Sequence, residues 1–307
     1  MVRLVIDTDP GVDDAHAILM ALAHPNVRVE AITSVAGNVG LPLTTANACH
    51  ILDAAGADAP VFAGAAAALI ARNPVADYVH GSDGLGESRL PPSTRRVQSE
   101  HAANALVRLA NENPGELTLV AIGPLTNVGL ATCLDPDLPS KYKKLVIMGG
   151  AIHAQGNTTP LAEFNTYSDP EAAEIVFKGW PMVTLVSWET TVAHVFSVAQ
   201  VAELWAMQSP RAEFFRKITV NTLDFVEKYL GQRLLYAADF LAMAAAIEPE
   251  IVTKAERKFV EVELQGRIGR GQTVVDWRGV QRRPHNVEIV LEMNAARLFE
   301  LFKLALA

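Results

Sequence analysis

Residues 2–23 read VRLVIDTDPGVDDAHAILMALA. The run at 2–6 is short, apolar and of strand length, whereas 13–23 place Ile18, Leu19 and Leu22 on one face at helical spacing. A buried strand running straight into an amphipathic helix is the start of a βαβ unit. The same rhythm recurs along the chain. Strand-like runs at 27–35, 117–122, 144–148 and 182–187 alternate with helical patterns at 43–55, beyond 122 to 131, and 170–177. This predicts an α/β fold, an open, mainly parallel sheet flanked by helices on both faces. A mostly helical segment follows near 197–247, then short strands at 258–264, 272–276 and 287–291, and a closing helix at 295–304. No linker rich in Pro, Gly or Ser divides the chain, so residues 1–307 are expected to form one domain.

The 307 residues carry 26 Lys and Arg against 34 Asp and Glu, a net charge of −8. That balance argues against a nucleic-acid-coating surface, which needs clustered cations on phosphates. No apolar run reaches the roughly 20 residues of a bilayer span, so no membrane partner is expected. Two cysteines, Cys49 and Cys133, lack metal-ligand spacing and read as small buried hydrophobes in a reduced compartment. The N-terminus has no secretory pattern, and a cytoplasmic location is expected.

In open α/β sheets ligands sit beyond the carboxyl ends of the strands. Asp7 and Asp9, Gly37-Asn38, Gly123-Pro124 and Gly149-Gly150 each follow an apolar run. The segment from Asp7 to Asp14 packs four carboxylates into eight residues. Like charges so close raise one another's pKa unless a cation offsets them. Oxygen-only donors suit a hard cation such as Ca²⁺ better than Zn²⁺. The plainer alternative has Asp13 capping the next helix while the others face solvent.

DTDPGVDDAHAI resembles the N-terminal fingerprint of the inosine-uridine nucleoside hydrolase family. The resemblance continues through GN at 37–38, IGPLTN at 122–127, MGG at 148–150 and GNTTPLAEFNTYSDPEAA at 156–173. It implies Ca²⁺-dependent hydrolysis of the N-glycosidic bond of a ribonucleoside to ribose and free base. The ion would be held by Asp9, Asp14, Asp239 and the backbone carbonyl of Ile122. Asp9 would take a proton from a Ca²⁺-bound water, with Asn38 and His80 as further catalytic candidates. Asp13, Asn38, Met148, Asn157, Glu163, Asn165 and Asp239 would grip the ribose. Members of the family are commonly homodimers or homotetramers. The chemistry agrees with the residue types: cleavage passes through an oxocarbenium-like ribose, which carboxylates favour over the neutral ground state.

Several residues depart from that pattern. Ala238 precedes Asp239 where many members carry a histidine that assists the leaving base. His80, in HGSDGLG, is one replacement, and aromatic stacking by Trp188, Trp205, Tyr229 or Tyr236 is another. A substrate whose leaving group needs no help, such as a modified nucleoside, is a third. The lost histidine also allows a weakly catalytic nucleoside-binding protein. Taken alone, Asp239 reads as a cap of the helix at 240–247. Ser187-Trp188-Glu189-Thr190 stands where an LDVT-like stretch is common, and GRIGRG at 266–271 reads as a turn. The remaining histidines are expected at the surface or satisfied in the core. An apolar strand ending in D-x-D also occurs in haloacid-dehalogenase-type phosphatases, but Gly11 stands where those carry Thr or Val.

Overall fold

Alternate residues of a strand face opposite sides of its sheet, and both faces of this sheet are covered. Leu4, Ile6, Val120, Val146, Val186 and Val290 belong to one buried cluster, and Val5, Leu119, Leu145, Leu185 and Ile289 to the other. The computed structural model describes residues 1–70 and 75–307. Its main sheet has eight strands: β1 (Val2–Thr8), β2 (Val27–Ser34), β3 (Val61–Ala63), β4 (Leu117–Ala121), β5 (Lys144–Met148), β6 (Val183–Val186), β7 (Val252–Lys258) and β8 (Val287–Met293). Their order is β3-β2-β1-β4-β5-β6-β8-β7. All neighbours run parallel except β7 against β8. The expected mainly parallel α/β sheet is therefore present.

The chain winds from β1 to β3 in one direction and from β4 to β6 in the other. Strand order reverses between β1 and β4, which opens a crevice beyond their carboxyl ends. Helix Val12–Ala23 leaves that point directly from β1, and Gly11 serves as its N-cap. Helix Ala238–Ile247 is buried along its whole length. Its sequence ADFLAMAAAI is almost entirely apolar, as a helix enclosed on every side requires.

The helical segment after residue 197 consists of Val198–Ala206, Pro210–Leu230 and Ala238–Ile247. Two local expectations are corrected. β7 begins at Val252, ahead of the expected strand, because its VTKAERK sequence has no fully buried position at the sheet edge and shows no apolar run. Cys49 is buried, but Cys133 is exposed, near the end of helix Thr126–Leu134. The 266–271 turn joins the antiparallel strands Val260–Val262 and Thr273–Val275. Among the described residues no helix is long and apolar enough to cross a membrane.

Candidate active site

Asp9 lies just past β1 and is fully buried. Its Oδ2 accepts the Asn38 N–H at 2.7 Å, and its Oδ1 is buried with no partner. Two glycines make this seat possible. A Cβ on Gly37 would stand 2.0 Å from Asp9 Oδ2, and one on Gly123 would stand 2.6 Å from Oδ1. The Asn38 amide also donates to the Asp9 carbonyl at 3.2 Å and to Asp14 Oδ2 at 3.1 Å. Asp14 Oδ2 further accepts the Gly11 N–H at 2.8 Å, and Thr8 Oγ1 donates to its Oδ1. Asp14, not Asp13, therefore closes the start of helix Val12–Ala23.

Asp13, Asp14 and Asp239 offer oxygens within 4.8 Å of one another. Asp9 stands beside this group, not in it, and Asp13, expected only at the ribose, is part of it. Asp239 occupies the first turn of helix Ala238–Ile247 and makes no capping bond; Ala237 is the N-cap. The N-terminal turns of two helices thus converge on the carboxylates, and their dipoles favour negative charge there.

Burial pushes Asp13 and Asp14 up to about 6, with the Asp13 charge adding to the effect on Asp14. Burial, followed by neighbouring carboxylate charges, holds Asp9 and Asp239 well above the usual carboxylate range. Among the described residues lining the adjoining cavity there is no Lys or Arg. All-oxygen donors, an orphaned Asp9 oxygen and uncompensated buried charge fit a hard divalent cation.

The cavity encloses about 510 Å³ beside this cluster. Asp13, Asn38, His80, Ile122, Met148, Asn157, Glu163, Asn165 and Asp239 all line it. Met148 ends β5. Glu163 is the N-cap of helix Phe164–Ser168. Its carboxylate accepts backbone N–H groups from Gly150, Asn165 and Thr166, which leaves little capacity beyond these three bonds. Asn157 Oδ1 accepts the Phe164 N–H at 2.9 Å. Asn165 Nδ2 holds the Ile122 and Met148 carbonyls at 3.1 and 3.2 Å, tying the ends of β4 and β5 together.

His80 Nδ1 accepts the Val12 N–H at 3.1 Å, so the proton of the neutral ring resides on Nε2. Burial lowers its pKa to about 4 against the opposing Asp14 charge. The ring is accordingly neutral at physiological pH and is a hydrogen-bond donor instead of an imidazolium acid.

The cavity lining also holds aromatic and aliphatic side chains. Trp188 and Tyr236 stack with centroids 5.5 Å apart at 19°, next to Ala238. Tyr229 packs on Phe225 at 4.5 Å. Trp205, also a candidate, lies outside the cavity lining on helix Val198–Ala206 and packs against the core with its Nε1 unpartnered. The departure at 187–190 places Trp188 in this wall, while Glu189 binds the backbone N–H groups of Ile152 and His153. Sequence reading missed Val79, Thr222, Phe225 and Val226, which also line the cavity. The i,i+4 pair Phe225–Tyr229 was the one local signal for them. His16 corrects the expectation for the remaining histidines. It is buried between Phe215 and Phe302 with Nδ1 unpartnered, and burial lowers its pKa to about 3.

A sequence model of the family described as inosine-uridine preferring nucleoside hydrolase matches residues 4–300. A probable uridine nucleosidase of Oryza sativa subsp. japonica is 40% identical over 89% of this chain and 85% of its own length. A pyrimidine-specific ribonucleoside hydrolase of Shigella flexneri is 33% identical over 95% of this chain and 93% of its own. The solved structure of an inosine-guanosine nucleoside hydrolase superposes with a TM-score of 0.92 at 35% identity, covering 100% of this chain and 99% of that one.

Proposed function

The chain belongs to the inosine-uridine preferring nucleoside hydrolase family and is an N-glycosyl hydrolase, and from that premise we propose a Ca²⁺-dependent cleavage of ribonucleosides in which Asp9 is the general base. The observation that carries this reading is the orphaned, buried Asp9 Oδ1 beside three clustered carboxylates at the β1–β4 crevice. Asp9, Asp14, Asp239 and the Ile122 carbonyl would hold the ion, with Asp13 close enough to join them. Bound there, calcium supplies Lewis acidity toward water and hydroxyl oxygens.

The remaining work falls to the chain. Asp9 Oδ1, buried and without another hydrogen-bond partner, takes the proton of the attacking water. As the C1′–N bond breaks, the electron pair leaves with the base and positive charge grows on the ribose. The surrounding carboxylates stabilise that charge more than the neutral ground state. Asp13, Asn38, Met148, Asn157, Glu163, Asn165 and Asp239 surround the sugar and exclude water. At the leaving base, His80 Nε2–H donates in place of the histidine absent at Ala238, and the Trp188–Tyr236 stack holds the ring.

The base wall recognises a flat ring by stacking, which every base can satisfy. Turnover of both purine and pyrimidine ribonucleosides is expected. The same reading carries a cytoplasmic homodimer or homotetramer acting in nucleoside catabolism, with purine salvage as one outlet. The test is ribose release from inosine, adenosine, guanosine, uridine and cytidine, with calcium and with a chelator. Release that the chelator stops supports the reading, whereas release indifferent to chelation sinks the metal role. Silence across the panel with calcium bound would redirect the search to modified nucleosides.

A further inference from the structure

We propose that Asn47 is the positioning residue that fixes His80 against the carboxylate turn. Asn47 sits on helix Leu41–Ala55, outside the cavity lining, and is buried. Its Nδ2 donates to the Pro10 carbonyl and to the Asp83 carbonyl, each at 2.9 Å. One amide nitrogen has two protons, and both are committed. Pro10 lies between Asp9 and the Asp13-Asp14 pair, and Asp83 lies in the loop that follows His80. The amide therefore spans the two segments whose separation sets where His80 stands.

The gripped loop is stiff. The Asp83 carboxylate accepts the N–H groups of Leu85, Glu87 and Arg89 at 2.8–3.2 Å and the Ser88 hydroxyl at 3.4 Å. The Gly86 N–H returns to the His80 carbonyl at 2.7 Å. A pull on the Asp83 carbonyl is thus passed to His80 through a fixed body. Gly84, at φ +78°, makes the close approach possible, since a Cβ there would stand 2.7 Å from Asn47 Nδ2. Two residues past Pro10, on the same turn, the Val12 N–H fixes His80 Nδ1. The segment before His80 is also held, by the Ala76 N–H on the Asn38 carbonyl at 3.0 Å and the Thr222 hydroxyl on the Val79 carbonyl at 3.3 Å, so losing the Asn47 bridge frees the loop side of the anchorage that sets the direction of Nε2–H.

This inference rests on the reading of His80 as the donor to the leaving base. Asn47→Asp keeps the shape and sets an oxygen against two carbonyl oxygens; Asn47→Ala removes the bridge and serves if the first variant fails to fold. Turnover of uridine and inosine should fall about 10- to 100-fold, the usual cost of losing an outer-shell partner. Turnover of p-nitrophenyl β-D-ribofuranoside, whose leaving group departs as a stable anion, should change little. His80→Ala should show the same split, and the double variant no further loss. Cys49→Ala, in the same helix, should lower Tm without separating the substrates. Long-range ¹H–¹⁵N correlation should show His80 as a single Nε2–H tautomer in the native enzyme and shifted in Asn47→Asp. Equal losses on all substrates, additivity in the double variant, or unchanged His80 resonances would each overturn the proposal. If His80→Ala itself fails to separate the substrates, the leaving-group reading fails instead, and the resonances still decide whether Asn47 holds the ring.

Discussion

Removing the divalent cation at two pH values tests the carboxylate cluster most directly. Asp13 and Asp14 titrate near 6 in the folded chain against an ordinary 3.8, because burial disfavours their ionised forms. Between those values the native state binds more protons than the unfolded one, so the chelated protein loses stability as pH rises through the window. Calcium needs its carboxylate ligands ionised. For Asp13 and Asp14 alone, nearly all are at pH 8 and about one in ten of each at pH 5, so the apparent affinity falls by at least roughly 100-fold, and the raised Asp9 and Asp239 add to the fall. Calcium at 100 times its pH 8 dissociation constant should add about 2.7 kcal/mol at pH 8 and at most about 0.4 kcal/mol at pH 5. For a chain of this length that is about 4 °C in Tm against less than about 1 °C. Glu248, Asp53 and Asp135, held below their usual range, pull the absolute stability the other way with pH. They cancel when the calcium-loaded and chelated proteins are compared at one pH by scanning fluorimetry. A calcium shift at pH 5 as large as that at pH 8, or none at either, would refute the assignment of the cluster as the cation site.

Further outcomes follow from the same geometry. Asp9→Asn should reduce ribose release by about 10²- to 10⁴-fold, with nucleoside still bound in calorimetry. Gly37→Ala drives a Cβ to 2.0 Å from Asp9 Oδ2 and should cost about 1–3 kcal/mol by denaturant titration, with loss of activity; Gly40→Ala, whose Cβ meets nothing closer than 3.9 Å, should be neutral in both assays. Trp188→Ala should raise KM for nucleosides by roughly 5- to 100-fold through lost stacking, whereas Trp205→Ala should lower Tm and leave KM alone. Burial pushes Asp7 up to about 7, so Asp7→Asn should raise the Tm of the chelated protein at pH 8 relative to its effect at pH 5, with the Thr33 and Asn127 bonds still accepted by the amide oxygen.

The family assignment removes the phosphatase alternative and leaves the local reading of residues 2–23 standing. That stretch was legible because each of its signals is local. A short apolar run and then apolar residues three or four apart set a strand and a helix, and a rule of topology puts polar residues at the strand end next to a ligand. The GN, IGPLTN and MGG segments follow strands for the same reason. The edge strand β7 was not legible, because a strand with no fully buried position carries no apolar period.

What the chain determined by itself was the alternation of strands and helices, the parallel sheet they build, and the carboxylates at the end of β1. Tertiary structure alone decided which distant groups join them. Asp239 could have capped its helix; complete burial of that helix against the sheet brings it to Asp13 and Asp14 instead. Trp188 and Trp205 both lie on helices of mixed character, yet one lines the cavity and the other packs on the core. Asn47, on a helix face with no sign of chemistry, spans the turn and the His80 loop. Periodicity says which face of an element is apolar, but what that face meets is set by contacts between residues far apart in sequence.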